Sequence, residues 1–265
     1  MADGAQSLPV PAVRRTPRIP RGFNIAGWIR HPFLLTLPAL GVLFAVLAVP
    51  LTVIVIRSFT EPEPGLGNYV WFFGTEVNMI VLGRTFWIAF WVTVACVLCA
   101  YPYAFAMSAV GPRVRLIMIL CVLVPFWVSG VVRTLAWVIL LQDSGLINRV
   151  IVSLGFGPVR LIRTPLGVMI GMTQVLLPFM IMPLYAVMRG IDMRLMQAAS
   201  SLGAHPVRAF LDVYLPLSLP GVFAGALLVF ILALGFYITP ALLGGPSSTM
   251  LSTLVQHQVL ALLNW

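Results

Sequence analysis

Five long apolar segments constrain the fold of this chain more than any other feature. They lie at about residues 34–56, 85–110, 116–141, 166–188 and 218–243. A helix needs roughly 20 apolar residues to cross a hydrocarbon core, so each segment is long enough. Only 9% of the 265 residues are charged, and the mean hydropathy is +1.03. The sequence therefore predicts an all-α protein that crosses the membrane several times, with residues 34–265 as one transmembrane domain.

The arginines are distributed unevenly between the two sides of this predicted bundle. One side would hold ten of them, at positions 14, 15, 18, 21, 30, 113, 115, 189, 194 and 208, and the other side five, at 57, 84, 149, 160 and 163. Cytoplasmic loops carry an excess of basic residues, which places the N-terminus and the loop at about 189–217 in the cytoplasm. The net charge of +9 is thus explained by membrane orientation, and no nucleic acid is expected as a partner. Residues 1–33, rich in Pro and Arg, are expected to form a disordered cytoplasmic tail.

No catalytic constellation is present in the sequence. His31, His205 and His257 lie far apart, no phosphate-binding glycine loop occurs, and the predicted spans contain no Asp or Glu. A membrane enzyme would need such a cluster, and a proton-coupled carrier usually needs a buried acid. Cys96 and Cys99 are close in sequence but have no His or further Cys nearby, which favours packing over a metal or redox site. We expect no catalytic residue, no metal and no cofactor in this chain.

One polar segment between two predicted spans has the pattern of two short helices joined by a glycine turn. Residues 194–202 contain no Gly or Pro and are rich in helix formers. Gly203 can take the left-handed conformation that ends a helix, and Pro206 suits the first position of a second helix. We expect Pro216 and Pro220 to end that second helix. The segment would form a compact knob for a partner, or an ordinary amphipathic connection between spans.

The spacing within this segment resembles the cytoplasmic "EAA" loop of ABC-transporter permeases. The residues that we assign to it are Gln197, Ala198, Ala199, Gly203, Pro206, Leu215 and Pro216. The resemblance implies that the loop at about 189–217 docks onto an ABC ATPase subunit, which would hydrolyse ATP in place of this chain. The family has Glu where this chain has Gln197. The amide keeps an acceptor oxygen, but a charge-assisted contact becomes a neutral one.

A second resemblance indicates which branch of the family this chain is most similar to. Residues 124–137 read VPFWVSGVVRTLAW and residues 145–148 read GLIN, a series that is similar to permeases of the spermidine/putrescine branch. The resemblance covers about residues 30–265 and implies a type I ABC importer fold and transport of polyamines or a related small organic solute. It also implies a second permease subunit, identical or paralogous, and a periplasmic solute-binding protein. An ion-coupled secondary transporter is the alternative, and it would be expected to show internal repeats and buried ionisable groups.

Arg133 is the one charge well inside a predicted span, so it should face the bundle interior or water. One reading places it on a translocation path together with Phe126, Trp127, Ser129 and Trp137. The other reading has Arg133 reach the membrane interface or pair with Asp143. Because the spans offer aromatic side chains but no acid, we expect substrate selectivity to reside in the separate binding protein.

Two further expectations concern the ends of the first and last spans. The external segment at 57–84 is rich in aromatic residues, which either lie at the membrane interface or face the binding protein. The family resemblance implies a sixth span after residue 265 and a cytoplasmic C-terminus. Five spans would instead leave the two termini on opposite sides of the membrane. We therefore expect this span to be missing at the C-terminus, through truncation or because a partner helix replaces it.

Overall fold

A computed structural model describes residues 32–61 and 63–261, and these residues form helices and turns but no strand. The helices are α1 (Pro32–Thr60), α2 (Gly67–Gly74), α3 (Glu76–Ala109), α4 (Pro112–Leu123), α5 (Gly130–Leu141), α6 (Leu146–Ser153), α7 (Pro165–Met188), α8 (Arg194–Ser201), α9 (Pro206–Ala209), α10 (Leu215–Leu234), α11 (Ile238–Leu243) and α12 (Leu251–Gln256). Residues 1–31 of the predicted tail lie outside the described residues. The expected sixth span would follow residue 265 and also lies outside them. Residues 32 and 33 already belong to α1.

The described residues divide into two compact units, one that ends at Val70 and one that begins at Trp71. In the first unit α1 is an apolar helix that contains two prolines, and Arg57 near its end forms an exposed ion pair with Glu61 at 3.8 Å. An exposed pair of this kind contributes little to stability.

The core of the second unit lies among α3, α7 and α10. Its largest fully buried side chains include Ile88 on α3 and Met172 and Ile181 on α7. Glycines on the facing helices allow close approach, because a Cβ at Gly225 on α10 would lie 2.7 Å from the sulfur of Met180. Small residues serve this purpose at helix contacts in membranes.

The described residues contain five helical segments long and apolar enough to cross a membrane, namely Thr36–Thr60, Glu76–Ala109, Gly130–Ser153, Pro165–Met188 and Pro206–Leu234. The number agrees with the sequence prediction, but some boundaries differ. The second of these segments begins at Glu76, well before the predicted residue 85, the third contains Asp143, and the last contains Asp212. The prediction that the spans contain no acid is therefore wrong for these three residues.

The predicted third span at 116–141 is wrong as one continuous helix. Helix α4 ends at Leu123, a single 3₁₀ turn follows at Val124–Trp127, and Val128 is extended before α5 begins. Pro125 explains the break, because proline has no backbone N–H to donate to the preceding turn. The segment that can cross the membrane is Gly130–Ser153, which comprises α5, a turn and α6.

The predicted end of the second loop helix at Pro216 and Pro220 is also wrong. Helix α9 passes through a π-helical turn at Phe210–Tyr214 into α10, so the segment is helical from Pro206 to Leu234. A widened turn lets a helix continue past a proline, because it offers another hydrogen-bond partner to the backbone carbonyl that the proline leaves unpaired. Helix α10 ends instead at Leu234, with Gly235 as its C-cap, and the predicted last span at 218–243 is interrupted there before α11 begins.

Candidate coupling loop and membrane cavity

A compact helix–turn–helix knob forms the candidate coupling loop. Helix α8 ends at Ser201, and Gly203 has a φ of +90°, which confirms the predicted left-handed turn. Helix α9 begins at Pro206, and the Nδ1 atom of His205 accepts a hydrogen bond from the Val207 amide at 3.4 Å. The turn and the second helix start are therefore fixed by the local sequence. We call residues 194–214 the knob.

The tip of the knob is apolar and exposed. Leu202, next to the turn, is 90% exposed, and Val207 and Leu211 on the following helix are exposed as well. Apolar side chains in such positions suit the groove of a partner protein.

The residues assigned to the coupling loop fall into two groups. Gln197, Ala198, Gly203 and Pro206 are exposed around the turn, and Ala199 is half-buried there. Leu215 and Pro216 lie beyond the π-helical turn, in the first turn of α10.

An aromatic cluster joins the second half of the knob to α3. The rings of Phe210 and Tyr214 stack at 5.6 Å, and Phe105 meets both of them edge-on, at 5.6 and 5.1 Å between centroids. The Tyr214 hydroxyl lies 3.2 Å from the Ser108 hydroxyl, and the Tyr101 hydroxyl packs nearby, sharing a hydrogen bond with Ser218. Sequence reasoning missed this cluster, although Tyr101 and Phe105, like Phe210 and Tyr214, recur at helical spacing.

Arg133 contacts one of the residues proposed to share a translocation path with it. Its guanidinium lies 5.8 Å from the centroid of the Phe126 ring, and the Phe126 ring meets that of Phe179 at 5.1 Å. Its Nη2 atom donates to the Val128 carbonyl at 3.4 Å, whereas Nε and Nη1 are buried without a partner among the described residues. The expected alternative pairing with Asp143 is absent from the ion pairs of those residues.

The other predicted path residues lie apart from this pair. Trp127 is 90% exposed and Ser129 is exposed at the start of α5. Trp137 faces a different neighbour, because its indole N–H donates to the Oε1 atom of Gln174 at 3.3 Å. The structure thus groups Phe126 with Arg133 and places Trp137 in a second cluster.

That second cluster lines an open-sided cavity of about 650 Å³ between α3, α5 and α7. Its indole side chains are those of Trp87, Trp91 and Trp137, and Gln174 and Cys99 are among the polar groups. Sequence reasoning missed Trp87 and Trp91 as site residues. The spacing of four between residues 87, 91, 95 and 99 would have placed them on one face of a helix.

No group of three or more His, Cys, Asp or Glu side chains within the described ranges could hold a metal ion.

Comparisons with known proteins give a family and a fold. A family model described as "Binding-protein-dependent transport system inner membrane component" matches residues 97–263. The spermidine/putrescine transport system permease protein PotB of Haemophilus influenzae is 37% identical over 175 residues, which are 65% of this chain and 61% of that protein. PotB of Escherichia coli K12 is 34% identical over the same share of this chain and 64% of its own length. The matched region thus spans less than two thirds of these curated relatives.

The fold agrees with that of a solved transporter. A chain in the crystal structure of a bacterial alginate ABC transporter, in complex with an alginate-bound periplasmic protein, aligns with a TM-score of 0.65 and 16% identity. The alignment covers 91% of this chain and 88% of that chain. It confirms the type I importer fold that the sequence resemblance implied.

Proposed function

Because this chain belongs to the family of binding-protein-dependent transport system inner membrane components, we propose that it is a permease subunit of a bacterial ATP-driven importer. The observation that carries this proposal is the knob, a helix–glycine–helix with an exposed apolar tip at Leu202. The named relatives transport spermidine and putrescine. Polyamines or a related small organic solute are therefore the proposed substrates.

The proposed complex contains two permease subunits, identical or paralogous, two ABC ATPase subunits and a periplasmic solute-binding protein. The ATPase binds at the knob, and the N-terminus and the knob lie in the cytoplasm, as the arginine distribution favours. This chain contacts membrane lipid along its spans, contains no catalytic residue and needs no cofactor of its own. ATP is hydrolysed by the separate subunits.

The aromatic cluster at the base of the knob would transmit a movement of the knob to the spanning helices. Phe210 and Tyr214 belong to the π-helical turn that continues into α10, and Phe105 and Ser108 hold the same turn against α3. A displacement of the knob by the ATPase therefore acts on two spanning helices together. Closing and opening of the ATPase pair would favour outward-open and inward-open states in turn, because the two states differ in affinity for ATP.

Family membership favours this function over an ion-coupled secondary transporter. A secondary transporter would place ionisable groups at a coupling site near the middle of the membrane. In the described spans Glu76 and Asp212 lie near helix ends, and Asp143 lies in the turn between α5 and α6. The charge that lies beside the aromatic ring of Phe126 is Arg133, which cannot carry a proton relay.

The test is ATP-dependent uptake by the complex that copurifies with this chain, reconstituted into vesicles with its binding protein and radiolabelled spermidine. Leu202→Asp should reduce uptake and ATPase binding about tenfold or more, since burial of a leucine contributes roughly 1.5–3 kcal/mol. Leu154→Asp is the matched control, because Leu154 is 69% exposed at the end of α6 beside another glycine turn. Uptake without ATP, or equal losses in both variants, would contradict the proposed function.

A further inference from the structure

The cavity between α3, α5 and α7 has walls of an unusual composition. Three indole rings contribute to it, those of Trp87 and Trp91 on α3 and Trp137 on α5. Aliphatic side chains of α7, Leu166, Ile170 and Leu177 among them, form the facing wall. A volume of about 650 Å³ lies within the range of cavities that bind small molecules.

The chemistry of this lining selects for one kind of ligand. No lining residue carries a charge, so a carboxylate or phosphate would find no cation here. A sugar would find few hydrogen-bonding partners, since Thr173 already donates to the Met169 carbonyl and Gln174 accepts from Trp137. Indole faces attract ammonium groups, and they do so most strongly where water is excluded. The aliphatic wall suits the methylene chain of such a cation.

The arrangement of the two α3 indoles fits this role. The centroids of Trp87 and Trp91 are 6.3 Å apart and their planes are inclined by 64°, an edge-to-face arrangement in which each ring keeps at least one face that the other does not cover. Both side chains line the cavity and are about half exposed, at 50% and 46%. Cations bind aromatic rings within about 6 Å of a centroid, which allows one ammonium group to contact both rings.

The cavity also lies toward one end of the bundle. Its two α3 indoles, Trp87 and Trp91, belong to the half of that helix nearer Glu76, and Cys99 lies just beyond the middle. Most of its α7 residues belong to the half nearer Pro165. Both helix starts are extracytoplasmic in the orientation that the arginines favour. This is the side from which a binding protein would deliver a solute.

Arg133 does not oppose a cation from within the cavity. It precedes Trp137 by one helical turn on α5, but its guanidinium lies over Phe126 and donates to the Val128 carbonyl. It is not among the residues that line the cavity.

We infer that this cavity, which we call the tryptophan cavity, binds the ammonium group and adjoining methylenes of an organic cation as it enters the membrane domain. The inference rests on the proposed function, because it assigns a place in this chain to the proposed substrate class. It also assigns Trp87, Trp91 and Trp137 as substrate-contacting residues.

A native cysteine allows the site to be tested without altering the chain. Cys99 lines the cavity and is exposed, Cys121 on α4 is exposed outside it, and Cys96 is buried. Vesicles containing the whole complex are treated with N-ethylmaleimide, and the labelled peptides are quantified by mass spectrometry. Spermidine should slow labelling of Cys99 and leave that of Cys121 unchanged. Octane-1,8-diol, of similar length but uncharged, should protect Cys99 far less.

Two substitutions sharpen the test. Trp91→Leu should raise the spermidine concentration that half-protects Cys99 about tenfold, whereas Trp91→Phe, which keeps an aromatic face, should change it less. Phe86→Leu is the matched control, since Phe86 is equally exposed on α3, at 49%, but does not line the cavity.

The outcomes separate this inference from the proposed function. Spermidine uptake by the unaltered complex with no protection of Cys99, or equal protection by the diol, would overturn the cavity assignment alone. The same holds if Cys99 fails to react without ligand, because a lipid chain or a partner helix then fills the cavity. Absence of ATP-dependent spermidine uptake would overturn the proposed substrate and this inference with it.

Discussion

Replacement of Gly203 by valine is the perturbation whose cost can be worked out most completely from the structure. A Cβ at this position would meet nothing within 4 Å, so the added side chain has space. The cost comes from the backbone alone, because Gly203 has a φ of +90°, where L-residues are disfavoured. A non-glycine residue in such a conformation costs about 1–3 kcal/mol.

This cost should appear as lost coupling. A shift of about 1–3 kcal/mol between knob conformations changes their ratio roughly 5- to 150-fold. The reconstituted complex should therefore lose spermidine uptake and ligand-stimulated ATPase activity by a factor in that range, while membrane insertion stays normal. Gly203→Asn should lose less, because asparagine tolerates the left-handed region better than other residues.

Gly155 provides a matched control for this experiment. It has a φ of +88°, and its Cβ would also meet nothing within 4 Å. Gly155→Val should therefore carry a similar backbone cost at the end of α6, outside the knob, and should leave uptake and ATPase activity close to the unaltered values. Normal coupling in Gly203→Val, or equal loss of coupling in both valine variants, would refute the reasoning.

Three other predictions concern substitutions of Gln197, Gly221 and Arg133. Gln197→Glu should tighten ATPase binding by about 1–2 kcal/mol through a charge-assisted hydrogen bond, and weaker binding in a pull-down titration would contradict this. Gly221→Val should destabilise the chain by about 1–3 kcal/mol in thermal unfolding, because its Cβ would lie 2.9 Å from that of Val187, whereas Gly235→Val, with nothing within 4 Å, should not. Arg133→Gln should leave unfolding unchanged or stabilise the chain by about 1 kcal/mol or more, since two buried nitrogens without described partners are removed, and a lower midpoint would argue against it.

The sequence predicted the helices where local signals and tertiary packing agree. The predicted span at 166–188 nearly coincides with α7, because Thr164 and Pro165 mark its start and the whole segment is apolar. The turn at Gly203 was predicted for the same reason, since one residue type decides the backbone conformation there.

Two of the errors arose at prolines, whose effect depends on neighbouring turns. Pro125 lies at a break between α4 and α5, whereas Pro216 and Pro220 lie within a continuous helix. The difference comes from the π-helical turn at Phe210–Tyr214, which no residue pattern in the sequence predicts.

The candidate cavity was beyond sequence reasoning for a different reason. Trp87 and Trp91 belong to one helix and Trp137 to another, and only the packing of α3, α5 and α7 brings them to one space. No residue pattern along the chain predicts how these three helices pack. The residues that we assign to the coupling loop could be proposed from the sequence because they lie within one short segment.

The most direct test of the central proposal is cross-linking from the tip of the knob. Leu202→Cys is introduced into a chain whose native cysteines are replaced, and membranes are treated with a short bifunctional maleimide after copurifying partners have been identified. We expect a covalent product that contains this chain and the ATPase subunit, and none from Leu154→Cys, which lies at the end of α6. Absence of the ATPase product, or labelling of Leu202→Cys by an impermeant maleimide added to the periplasmic side, would contradict the proposal that the knob couples this chain to an ATPase in the cytoplasm.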